Sequence, residues 1–163
     1  MAAAQHPPPH IAVVGPDTGA LPSELESAEA VGAGLARAGA VLVCGGLGGV
    51  MEAACRGARA EGGLTVGILP GQDRSSANPH VQVAIPTGMG ELRNGLVVRA
   101  ADALIAIGGA YGTLSEVALA LKGGLAVVGL GTWELSRQGR TDRAVLRVAG
   151  ADQAVALALR AVA

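Results

Sequence analysis

Phenylalanine is absent from this chain, and tyrosine and tryptophan occur once each, as Tyr111 and Trp133. With almost no rings on which bases could stack, and a formal net charge of −1 that leaves no basic footprint, nucleic acid is not an expected partner. Cysteine is nearly as scarce. Cys44 and Cys55 are too few for a zinc site of their own and form no disulfide framework, so the cytoplasm is the natural compartment. Cys44 reads as a small buried hydrophobe. No uninterrupted apolar stretch approaches the ~20 residues that span a bilayer, so no membrane partner is expected. Residues 1–10 carry Pro7-Pro8-Pro9 but neither a basic start nor an export-length apolar run, and they read as a flexible leader.

What the chain has is glycine and small aliphatic side chains. Half of its 163 residues are hydrophobic and 26 are glycine, enough for one core of Val, Leu, Ile and Ala linked by tight turns. Residues 11–163 therefore read as one domain, and its pattern alternates strand with helix. Ile11-Ala12-Val13-Val14, Val41-Leu42-Val43-Cys44, Thr65-Val66-Gly67-Ile68-Leu69, Val81 to Ile85, Asp102 to Ile107 and Leu125 to Leu130 are strand-length apolar runs, with a further strand over Ala144 to Val148. Ser23 with Glu26 predicts the cap of the first helix, and Asp152 that of the last. The alternation predicts an α/β, Rossmann-like domain: a mainly parallel sheet, helices on both faces, ligands at the carboxyl ends of the strands.

Two glycine turns stand at such ends. Gly45-Gly46-Leu47-Gly48-Gly49 follows the second strand and opens a helix from about Val50 to Ala60. Its spacing is not Gly-x-Gly-x-x-Gly, and it does not follow the first strand, so a nicotinamide site is rejected. Gly108-Gly109-Ala110-Tyr111-Gly112-Thr113-Leu114-Ser115-Glu116 is the second. Strand, glycine turn and helix in that order make an anion site, where the backbone comes close and the unpaired N–H groups and helix dipole favour a phosphate. Thr113 and Glu116 also fit a capping box, in which both side chains merely satisfy the helix start. Either use is open to them. Arg93 is expected in a helix after the Pro86 break; it serves a ligand there or is an exposed arginine pairing with Glu91 or Asp102. Asp73 and Arg74, in a mobile loop from Gln72 to His80, and Arg137, Arg140 and Arg143 are further polar groups within conceivable reach. Trp133 covers a rim of the cleft or simply packs.

The second glycine segment resembles the Pro-Gly-Gly-x-Gly-Thr-x-x-Glu signature of the Lonely guy (LOG) family, phosphoribohydrolases once labelled lysine decarboxylases. It is more similar still to the variant of the molybdenum-cofactor carrier proteins in the same superfamily. Arg93 lies 23 positions before Glu116 and nine before Asp102, as in that pattern, with one extra residue between Met89 and Arg93. Gly108-Gly109-Ala110 stands for Pro-Gly-Gly, and Asn94 for the lysine after the arginine. These departures favour the carrier branch.

The resemblance covers the first strand to the helix after Thr113. It implies the same Rossmann-like fold, homodimers or higher homo-oligomers, and a second cleft wall from Gly45, Gly46, Gly48, Gly49 and Met51. Two functions follow. One is a carrier for a phosphorylated pterin- or nucleotide-like ligand, with molybdenum cofactor as cargo, in which Gly108, Gly109, Ala110, Tyr111, Gly112 and Thr113 hold the phosphate while Arg93 and Glu116 orient the rest. The other is hydrolysis of the N-glycosidic bond of nucleoside 5′-monophosphates, with Glu116 and Arg93 catalytic. No metal site is expected.

Overall fold

Successive residues of the central strands face opposite ways, and because both destinations are apolar the sheet is buried on both sides. The computed structural model describes residues 6–163. In order they form β1 (His10–Val14), α1 (Pro22–Arg37), β2 (Val41–Cys44), α2 (Gly49–Ala60), β3 (Thr65–Leu69) and β4 (Val83–Pro86). A 3₁₀ turn (Gly90–Arg93) runs into α3 (Asn94–Arg99), followed by β5 (Ala103–Ile107), α4 (Tyr111–Lys122) and β6 (Ala126–Leu130). The hairpin of β7 (Ser136–Arg137) and β8 (Arg140–Thr141), then β9 (Val145–Arg147) and α5 (Ala151–Ala161), complete the chain.

Seven strands make one sheet in the order β4-β3-β2-β1-β5-β6-β9. Every pairing in it is parallel. The chain starts in the middle, winds outward to β4, then returns to the other side of β1. Ile11, Val13, Ile105 and Ile107 pack with α1, α2 and α5, whereas Ala12, Val14, Leu104 and Ala106 pack with α3 and α4. The expected α/β architecture with helices on both faces is therefore present.

On the first face the helices touch backbone to backbone. A Cβ on Gly32 would stand 1.9 Å from the Ala54 carbonyl oxygen, and one on Gly57 would stand 2.0 Å from that of Glu29. Only glycine fits this contact between α1 and α2. No helix among the described residues is long and apolar enough to cross a membrane.

Several boundaries differ from the sequence reading. Helix α1 begins at Pro22 rather than after Ser23, and Glu24 Oε2, not Glu26, accepts the Leu21 N–H at 2.9 Å. Proline has no N–H to lose at a first helical position, and its fixed φ suits the entry. Asp152 lies inside the first turn of α5, whose cap position is Gly150, and Gln153 Oε1 takes the Ala149 N–H. β4 starts at Val83 because Val81 is held in a turn by its N–H bond to the Asn78 carbonyl. β1 takes in His10, whose N–H donates to the Asp102 carboxylate at 2.8 Å. Residues 1–5 of the expected leader lie outside the described residues.

Candidate functional site

Strand order places a crevice between β1 and β5, where the chain reverses its direction of winding and the loops after the two strands diverge. A cavity of about 740 Å³ lies there. Residues 15–18, after β1, form one wall, and residues 110–113, at the start of α4, form the facing one. The 3₁₀ turn and α3 contribute residues 91–95, and the glycine turn after β2 and the start of α2 send in Leu47 and Met51. Both glycine turns stand at the carboxyl ends of parallel strands, hence at the same sheet edge.

Arg93 ends the 3₁₀ turn and is 7% exposed. It is not the surface arginine that one alternative required. Its Nη2 donates to the Gly45 carbonyl at 3.3 Å and its Nη1 to Asn94 Oδ1, while Nε has no partner. Among the described residues it makes no ion pair, so neither Glu91 nor Asp102 engages it. Asp102 is bound to the backbone of β1 instead.

Helix α4 starts at Tyr111 with Ala110 in the cap position, so Thr113 and Glu116 do not form the capping box that their spacing allowed. Thr113 is 2% exposed, and its hydroxyl finds no hydrogen-bond partner. The earliest helical bond runs from the Leu114 N–H to the Ala110 carbonyl, which leaves the preceding amides as the free donors of a helix start. Glu116, 7% exposed, lines the same cavity. Burial pushes its carboxyl up from 4.5 to about 7, against the opposing pull of the Arg93 charge. Near neutral pH this group is divided between acid and carboxylate. The site can thus present hydrogen-bond donors and a cation to an anion, with a titrating carboxyl beside them.

Of the residues singled out in the sequence, Met51, Arg93, Ala110, Tyr111, Gly112, Thr113 and Glu116 all line the cavity. The remaining glycines stand outside that lining. Gly108 (φ +64°) lies against the Glu24 carboxylate, where a Cβ would come within 2.6 Å, and Gly109 lies against the Trp133 indole, where a Cβ would stand 2.9 Å from Nε1. Their close approach is used by protein groups. Gly45 holds Arg93 through its carbonyl, and a Cβ there would sit 2.7 Å from Nη2. Gly46 and Gly48 are tied down by Asn78 and Asp17, and Gly49 (φ +57°) packs on the Pro16 carbonyl.

The distal polar candidates behave differently. Asp73 is exposed and bound to Ser75, and Arg74 is exposed; neither lines the cavity. Arg137 and Arg140 form the exposed β7–β8 hairpin, and they and Arg143 also stand outside it. The loop before β4 is anchored near its end, because Asn78 is buried and bonds both Leu47 and Gly46. Residues 15–18 line the cavity although they carry no motif in the sequence. The rule that ligands sit at the switch point of a parallel sheet was the signal that could have found them. Cys44 and Cys55 are free, buried and 3.6 Å apart.

The family model of the SLOG cluster4 family matches residues 8–157. The chain belongs to the SLOG cluster4 family. This SLOG cluster4 chain superposes on the molybdenum cofactor binding protein of the phototrophic bacterium Rippkaea orientalis with a TM-score of 0.88, at 35% identity, over 96% of this chain and 99% of that one. The molybdenum cofactor carrier protein of Chlamydomonas reinhardtii matches with a TM-score of 0.82 at 33% identity, over 94% and 98% of the two chains. An uncharacterized protein of Archaeoglobus fulgidus is 50% identical over 100 residues, a segment spanning 61% of this chain and 66% of that relative.

Proposed function

We propose that this chain is a carrier-type binding protein for a phosphorylated small molecule with a pterin- or nucleotide-like ring. The reading rests on one observation: two buried polar atoms without partners, Arg93 Nε and Thr113 Oγ1, belong to residues lining a cavity at a helix start. Leaving such atoms unpaired costs roughly 1–3 kcal/mol each, and a ligand that pairs them recovers that cost. A phosphate at the first turn of α4 would meet the N–H groups of Gly112 and Thr113, the Thr113 hydroxyl and the Arg93 guanidinium. Gly45, Gly46, Gly48 and Gly49 support this site by holding Arg93 and Met51, and Gly108 and Gly109 by setting the start of α4. The likeness to molybdenum cofactor binding and carrier proteins supports that cofactor as the cargo.

Homo-oligomers fit the same reading, since Leu92, Leu96 and Leu119 are exposed apolar side chains on neighbouring elements. A cytoplasmic setting accords with two unpaired thiols. The net charge of −1 argues against nucleic acid as a partner.

A second reading is favoured by Glu116 alone. A carboxyl at about 7 beside a phosphate site could serve the departure of a base from a ribosyl centre, as in LOG-type hydrolysis. Incubation with guanosine 5′-monophosphate (GMP) separates the two. The carrier reading expects GMP bound and recovered intact, with mass spectrometry of the purified protein revealing a phosphorylated ring compound. Release of guanine and ribose 5-phosphate would replace it with the hydrolase.

A further inference from the structure

The single tyrosine and the single tryptophan of the chain stack on each other, and the tyrosine lines the cavity. Tyr111 and Trp133 stack with ring centroids 5.8 Å apart and an interplanar angle of 28°. Trp133 is fixed from behind: its Nε1 donates to the Ala110 carbonyl at 3.1 Å, and its indole rests on Gly109, where any side chain would displace it. Tyr111 lines the cavity yet is 82% exposed, so most of its ring is covered by nothing in the fold. A chain that spends so little on aromatics has placed one on another beside an anion site, with the outer ring presented to solvent.

We infer that Tyr111, backed by Trp133, is the stacking platform for a flat heteroaromatic ring, and that it selects ligands in which such a ring is joined to a phosphate by a short polar linker. The inference rests on the phosphate site proposed above. Tyr111 and Thr113 both belong to the first turn of α4 and both line the cavity, so ring and phosphate would share one site. Offset stacking on a ring held by a second ring needs little reorganisation, and Tyr loses few rotamers on binding. The platform tolerates more than one ring type, and the phosphate supplies the anchor.

Trp133 is the sole tryptophan and reports directly on the event. The test titrates the full-length protein with GMP and with ribose 5-phosphate, read by Trp133 emission and by calorimetry. GMP is expected to bind about tenfold or more tightly than ribose 5-phosphate, the range that base stacking supplies. Tyr111→Ala should bring GMP down to the ribose 5-phosphate value with little change in Tm, and Tyr111→Phe should restore the preference. Equal affinity of the two ligands for the parent protein, or an equal loss of both in Tyr111→Ala, overturns the platform while leaving the phosphate site standing. Failure of both ligands to bind the parent removes the phosphate site and the platform together.

Discussion

The two glycine turns look alike as sequence and differ in what their polar groups meet. In residues 45–49 the protein satisfies itself: Gly45 carbonyl takes Arg93, Gly46 carbonyl takes the Asn78 N–H, Leu47 carbonyl takes Asn78 Nδ2, and the Gly48 N–H donates to Asp17. Past residues 108–110 the reverse holds. The first amides of α4 lack helical acceptors, and the Thr113 hydroxyl is buried with nothing to bond. Glycine after a strand permits either outcome, so composition cannot separate a self-contained buttress from an anion cradle. The hydrogen-bond ledger can.

Arg93 bonds to the first turn and acts through its charge on Glu116 of α4, and replacing it should break the comparison most severely. Arg93→Ala leaves the Gly45 carbonyl without its partner and Glu116 without the cation that opposes its burial. Loss of a buried charge contact to a ligand costs about 2–5 kcal/mol, so affinity for phosphorylated ligands should fall at least thirtyfold in calorimetry. Tm should fall as well, since this arginine is buried, and the apparent pKa of Glu116 should rise further above 7.

Glu116 gives the next effect, in the pH dependence of stability. Its folded pKa of about 7 exceeds the 4.5 of the free group, so the native state holds the extra proton between these values. Stability is then greatest below about 4.5, declines as pH rises through about 7 and is level above it. The decline amounts to about 3 kcal/mol. Denaturant melts of Glu116→Gln at pH 5 and pH 8 should lack it, and a slope unchanged from the parent would remove the buried-carboxyl account. Binding of an anion should also weaken in the parent, though less in the variant, as pH rises through 7.

Smaller substitutions sharpen the contrast between the turns. Asn78→Ala frees the Leu47 carbonyl and the His80 N–H from their side-chain partner while keeping the backbone bond to Gly46, and should lower stability by about 1–3 kcal/mol, with the larger share of its effect on Tm rather than on affinity. Thr113→Val exchanges an orphaned hydroxyl for a methyl of the same shape. It should be neutral or stabilising without ligand and should weaken phosphate binding by about 1 kcal/mol. If Thr113→Val destabilised the free protein and left affinity intact, the hydroxyl would be a structural group.

Much of this was legible in the sequence. β2 and β3 fall on their apolar runs to the residue, and both glycine turns sit where strand, turn and helix predict. Seven of the residues named as ligand contacts line one cavity, among them Arg93 and Glu116. The errors share a cause: local preference was read where tertiary contacts decide. Ser23 and Asp152 are good caps in isolation, but Pro22 and Gly150 set the entries of their helices. Arg93 is buried because the 3₁₀ turn delivers it to the Gly45 carbonyl, 48 residues earlier, a contact that no spacing announces. The glycines of residues 108 and 109 admit Glu24 and Trp133, one upstream and one downstream of the turn, and neither pairing leaves a mark on the sequence. Residues 15–18 carry no motif; only the topology gives them a wall of the cavity.

The difference between the turns can be read amide by amide. In a ¹⁵N-labelled sample titrated with GMP, the amide signals of Gly112 and Thr113 should shift progressively, while those of Gly46 and Gly48 move little, since the first pair are the free donors and Gly48 is already bound to Asp17. Shifts concentrated at Gly46 and Gly48, with Gly112 and Thr113 unmoved, would contradict the assignment of the phosphate site to the start of α4.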